Sequence, residues 1–286
     1  MGHFHFYRQL CRSIWHQFVS LIINSSSQDA LRGLINIYVA QKEIDKAVSA
    51  TNTQIAASPN NSVFYDLLGS LLMDKKDLSG AETALKKAVE LNKNNTDAFV
   101  KLGRVQISKG APDEAIATYN TALTANPKEA AFDILIGELY ERKHDLEKAK
   151  ASYQTALRIK PDNPIASNNL AYVLLETNAN ADMALQLAQT ARRGLPESST
   201  IADTLGWAFY QKGVYQSAIS MFQQAIKLSE KNKEAENPTY HYHLGLAYAK
   251  AEQPVLARQH LERVLKLNPN YSDADDVRKQ LAQLRS

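Results

Sequence analysis

The side chains of this sequence best suited to chemistry are few and scattered. His241 and His243, in the run HYH, and His3 and His5 are the closest pairs of metal-capable residues. On a helix, residues two apart point to different sides, whereas one ion is held by an i, i+4 pair. His241 and His243 are therefore expected to serve packing or surface roles. Cys11 is the sole cysteine, which excludes an intrachain disulfide and leaves no CxxC or Cys/His cluster for zinc. Nucleotide, acyl-transfer or metalloprotease chemistry would need a glycine-rich phosphate loop, a GxSxG elbow or an HExxH helix, and none of these occurs. The sequons at Asn24, Asn60 and Asn94 lie in Asn-rich turn-like stretches and imply no glycosylation. The expected function is not enzymatic, with no cofactor and no metal.

Charge narrows the partners. With 33 basic against 30 acidic residues the chain carries a net charge of +3, far from the positive field that nucleic acid requires. Only 11 Gly and 9 Pro occur in 286 residues, beside abundant Ala, Leu, Lys, Gln and Glu, so an almost all-helical protein is expected. Residues 1–27, MGHFHFYRQLCRSIWHQFVSLIINSSS, are apolar and aromatic, but Arg8, Arg12 and His16 interrupt them. That falls short of the roughly 20 apolar residues of a membrane span, and Phe18 to Ile23 is too short for the core of a secretory signal. The segment is expected to be an amphipathic helix on the first repeat, or the remnant of a preceding one.

What must position any binding residue is a repeat. Leu205-Gly206 recurs as Leu68-Gly69, Leu102-Gly103, Ile136-Gly137, Leu170-Ala171 and Leu244-Gly245, with Leu34-Ile35 as a degenerate first copy. From Ile35 to Ala171 the interval is 34 residues each time. Twelve residues after each small position, thirteen in one copy, stand Ala47, Ala81, Ala115, Ala149, Ala184, Ala218 and Ala257. A second small column follows at Ala88, Ala122, Ala156, Ala191 and Ala225, with Leu85, Tyr119, Tyr153, Phe222 and Leu261 between the two. A fixed period of this size marks a solenoid whose units bury their apolar sides against neighbours. Within a copy the apolar residues fall at helical spacing in two stretches, so each unit is a helical hairpin. Pro59, Pro127, Pro161, Pro196 and Pro269 stop the second helix. Gly206 and Ala218 are expected where the helices of one hairpin cross closely, Ala225 where the second helix meets the next hairpin, and Phe222 in the space that remains.

This pattern of Leu-Gly, Tyr, Ala, aromatic, Ala and Pro resembles the tetratricopeptide repeat family. The resemblance implies an all-α solenoid, a right-handed superhelix of about seven hairpins at 28–61, 62–95, 96–129, 130–163, 164–198, 199–237 and 238–271. Residues 272–286 would form a capping helix with Asp275, Arg278, Lys279 and Gln283 on its outer face. Lys93 and Glu230 stand where proline is usual, the fifth repeat carries one extra residue, and the sixth ends in the insertion SEKNKEAENP, read as an exposed loop or an extended helix end. The copies LAYVLLE, DTLGWAFYQKGVYQSAI and NPTYHYHLGLAYAKAEQPVLARQHLERVLKLNP also resemble bacterial repeat proteins of envelope or exopolysaccharide systems, including exosortase-linked lipoproteins. No lipobox precedes Cys11, so lipid anchoring does not carry over, and cytoplasm and periplasm both stay open.

In this family partners usually bind the concave face lined by the first helix of each hairpin. Residues three before and one after the small position are four apart and share that face. With Tyr210 and Lys250 added, they define an expected groove of Asn168, Tyr172, Asp203, Trp207, Tyr210, Tyr242 and Lys250, rigid aromatics beside hydrogen-bonding groups that suit a peptide. Trp207 is the leading member, because its column otherwise holds Asn36, Ser70, Arg104 and Glu138, which implies access to solvent. The family's clamp for a terminal carboxylate is matched only by Asn36 and Arg104, while Asp66, Glu138 and Asp203 would repel such a group. The expected partner is a protein or peptide, with self-association through the end repeats or Trp15 to Ile23 as the alternative.

Overall fold

The computed structural model describes residues 27–284. These hold fifteen α-helices and no strand, and the helices pack in consecutive pairs. Hairpins run α1 (Gln28–Ala40) with α2 (Ile44–Ala57), α3 (Ser62–Asp74) with α4 (Leu78–Leu91), α5 (Thr96–Ser108) with α6 (Pro112–Ala125), and α7 (Ala130–Arg142) with α8 (Leu146–Ile159). They continue with α9 (Pro164–Glu176) and α10 (Ala181–Gly194), α11 (Ser199–Gln211) and α12 (Tyr215–Lys231), and α13 (Pro238–Lys250) and α14 (Pro254–Leu267), before a last helix, α15 (Ala274–Gln283). The chain divides into two compact units, the first ending at Phe132 and the second starting at Asp133. Each unit is a segment of α-solenoid. No described helix is long and apolar enough to cross a membrane. The segment 1–27 lies outside the described residues, save Ser27, which caps α1.

Local chemistry sets the helix ends. Ser27, Asn61, Asn95, Asn163, Ser198 and Asn237 accept first-turn N–H groups of α1, α3, α5, α9, α11 and α13, which would otherwise lack partners. In every hairpin turn one residue is left-handed: Lys42, Lys76, Gly110, His144, Asn178, Gly213 or Glu252. The next N–H then reaches back five residues to a carbonyl, as from Asp77 to Leu72, Ala111 to Gln106 and Val214 to Phe209, each at 2.9 Å. Helix α12 is longer than its counterparts, at 17 residues. It closes on a turn of the same kind, with Lys233 left-handed and Glu234 N–H bonded to Ser229 O. The insertion after repeat six is thus an extended helix end followed by a loop.

The small residues have a sharper purpose than a close crossing of axes. A methyl carbon on Gly206 would sit 2.6 Å from the Phe222 ring, and one on Gly103 or Gly137 would sit 2.3 or 2.4 Å from Tyr119 or Tyr153. Gly69 and Gly245 stand in the same relation to Leu85 and Leu261. Each glycine on a first helix is the recess for one large, fully buried side chain of the second helix. In the fifth hairpin, where the glycine is replaced by Ala171, the large residue is replaced by Ala188, and both are 0% exposed. In the first, Ile35 goes with the small, buried Thr51. Size lost on one helix is made up on the other. Helix α15 buries Ala274 and Val277, the latter packed with Leu261 and Val264, while Asp275, Arg278, Lys279 and Gln283 are exposed.

Candidate functional site

First helices of successive hairpins stand side by side, α9 with α11 and α11 with α13 in the second unit, and form an inner wall. On α11, Trp207 and Tyr210 are one helical turn apart and stack with centroids 4.7 Å apart and planes 5° from parallel. The other face of the indole is covered by His243 of α13, at 4.4 Å and 17°. Asp203, one turn before Trp207, accepts from His243 Nδ1 at 2.9 and 3.0 Å and so fixes the imidazole in its stacked position. Tyr242 packs near His243 and Tyr271 and donates its hydroxyl to Asp276 Oδ2 at 2.8 Å. Burial, reinforced by Asp276, raises the Tyr242 hydroxyl well above the usual phenol range.

The wall therefore joins Asp203, Trp207, Tyr210 and Tyr242 into one cluster, in which Tyr210, Trp207 and His243 stack and Tyr242 is tilted against the imidazole. Its centre is His243, a residue that no groove reading of the sequence had included. Both indole faces are covered, so Trp207 offers a ligand its edge rather than an open ring. The signal for His243 was present in the first unit. Lys101 occupies the corresponding position on α5 and pairs with Asp66 of α3 at 2.7 Å. The two pairs span 35 and 40 residues, the difference being the insertion after α12. Asp203 is thus buried and committed to a rung between helices, as Asp66 is.

Asn168 and Tyr172 stand on α9, and Lys250 is exposed in the last turn of α13. Asn168 is 7% exposed, its Nδ2 meets Asn169 Oδ1 at 3.3 Å, and its own Oδ1 has no donor. Tyr172 is 39% exposed, with its hydroxyl pushed up to about 12 by burial and then by Glu176 and Glu141. Burial also lifts Glu138, Glu141 and Glu176 above the ordinary carboxylate range. Glu138 accepts from Asn169, and Glu141 accepts from Tyr153 at 3.0 Å.

His241 turns away from His243, as its two-residue spacing requires. Its Nδ1 lies 2.9 Å from His260 Nδ1 and its Nε2 lies 2.9 Å from Glu236, which also pairs with Arg263. Glu236, His241 and Arg263 border a cavity of about 230 Å³ between α12, α13 and α14.

Models of the tetratricopeptide repeat match residues 72–139 and 204–272, and a TPR repeat model matches 137–178. No curated protein matches the chain. Among solved structures, the APC/C hetero-tetramer Cut9-Hcn1 aligns with 97% of this chain at 18% identity and a TM-score of 0.64. The chain spans about half of that relative, 53% of its length. PilF of Pseudomonas aeruginosa aligns with 77% of this chain and 97% of its own at 17% identity, with a TM-score of 0.61. YrrB, described as a TPR protein with an unusual peptide-binding site, aligns with 69% of this chain and 99% of its own at 22% identity, with a TM-score of 0.54. At such identities the likeness is one of fold.

Proposed function

The chain belongs to the tetratricopeptide repeat family, a family of protein-interaction scaffolds rather than enzymes, and from that premise we propose that it holds a peptide segment of another protein along the inner wall of its second unit. One observation carries the reading. Three adjacent helices, α9, α11 and α13, turn Tyr172, Trp207, Tyr210 and Tyr242 to one wall, and the Asp203–His243 rung holds the stack in place. Preorganised rings bind an extended chain with little loss of side-chain entropy, while Asn168 and Lys250 add an acceptor and a cation at the margins. The peptide-binding site named for YrrB supports the same use of this fold.

Co-purification with the wild-type chain beside Trp207→Ala and Tyr242→Ala tests the proposal. A partner retained by wild type should be lost by both variants, with far-ultraviolet circular dichroism unchanged in each. Equal retention by all three proteins would remove the inner wall as the binding surface.

A further inference from the structure

Tyr172 is among the exposed large side chains, with Glu176 one turn along the same helix and Glu141 on α7. Tyr271 and Asp273, from the loop before α15, are also close enough to act on its hydroxyl. None of Glu138, Glu141 and Glu176 is ion-paired to a lysine or arginine among the described residues, and Arg142 acts on the first two only through space. Three other buried carboxylates are matched directly: Asp66 by Lys101, Glu82 by Lys86 and Lys109, at 2.5 to 2.7 Å, and Asp203 by His243. Around Glu141 like charges act on one another instead, Glu138 and Glu176 both working against its ionisation, while His243 acts on Glu176 only through space. One turn from Tyr172, the nine-tenths buried Asn168 keeps an amide oxygen with no donor.

An exposed tyrosine bordered by carboxylates is complementary to a group that is cationic, flat and rich in N–H. A guanidinium has all three properties: it lies over a ring by cation–π attraction and bonds two acceptors in its own plane. We propose that the partner segment is basic, and that an arginine side chain lies against Tyr172 with its N–H groups directed to Glu141 and Glu176. The proposal rests on the groove reading above and states the chemistry of its occupant. It is the reverse of a clamp for a terminal carboxylate.

The test is selection of a random-sequence peptide display library on the full chain. The enriched peptide is then synthesised with arginine or with citrulline, its uncharged isostere, and affinities are read by fluorescence anisotropy. Arginine should be enriched, and citrulline should weaken binding roughly tenfold, about 1.4 kcal/mol. In Glu141→Gln/Glu176→Gln that difference should vanish, and Tyr172→Ala should weaken the arginine peptide several-fold. Enrichment of acidic peptides, or equal affinity of the citrulline form for wild type, would overturn the inference. If such uncharged binding is still lost in Trp207→Ala, the groove reading survives alone. If no peptide is enriched, both fall.

Discussion

Gly206 faces Phe222 in a space with no room for a methyl group, and the fifth hairpin shows the same constraint solved by two alanines, Ala171 and Ala188. Gly206→Ala should therefore cost about 1 to 2 kcal/mol in urea unfolding, an overpacking penalty of ~1–3 kcal/mol offset in part by the better helix propensity of alanine. Phe222→Ala alone should cost ~3–5 kcal/mol through the cavity it leaves. The double variant should cost less than the sum, with a coupling above ~0.5 kcal/mol, because each change removes what makes the other harmful. Simple additivity would show that the pair does not interlock. The alanine and glycine columns were legible in the sequence, since the period displays them directly. The pairing of each glycine with a residue on the following helix was not, because it depends on how far the turn offsets one helix against the other. Asp203 was read as a groove contact for a similar reason: its partner His243 is brought near only by stacking of hairpins, though Asp66 and Lys101 repeat the arrangement.

Between helices, the clearest consequence comes from the two imidazoles that join α13 to α14. Burial lowers both His241 and His260, the second to about 4, and Glu236 only partly offsets the effect on His241. The unfolded chain takes up these protons near the ordinary value of 6.5, so below that pH it binds more protons than the folded chain does. This contribution to stability is intact above pH 6.5 and declines as pH falls toward 4. His260→Gln keeps a hydrogen-bonding group and removes one titration. Its melting temperature should fall less steeply than that of wild type over this range, and parallel curves would refute the assignment. At this scale periodicity predicts the helices well, since apolar spacing runs through them and a proline marks an end of several, both ends in α6 and α14. It could not choose between loop and helix for SEKNKEAENP, because charged, helix-favouring residues satisfy either until packing decides.

For the chain as a whole, stability is a sum over neighbouring hairpins, so each interface between successive units carries its own share. Helix α15 packs on the last hairpin described: Val277 joins Leu261 and Val264, both 0% exposed, and Asp276 accepts from Tyr242. A chain stopped after Asp273 should lose about 2 to 4 kcal/mol, the worth of one or two buried aliphatic side chains. It should also associate in sedimentation more strongly than the full chain. Unchanged unfolding and unchanged sedimentation would mean that α15 is dispensable.

The matched sizes inside each hairpin also bear on how such a chain can be recombined. A crossover in a proline link would exchange complete lock-and-key pairs and leave Gly103 with Tyr119, or Gly206 with Phe222. One falling in a hairpin turn could set Ala171 opposite a phenylalanine, or Gly206 opposite an alanine, jamming one interface and hollowing another. The exchangeable module is thus the hairpin, and a shuffled array should fold only when its junctions leave these pairs intact.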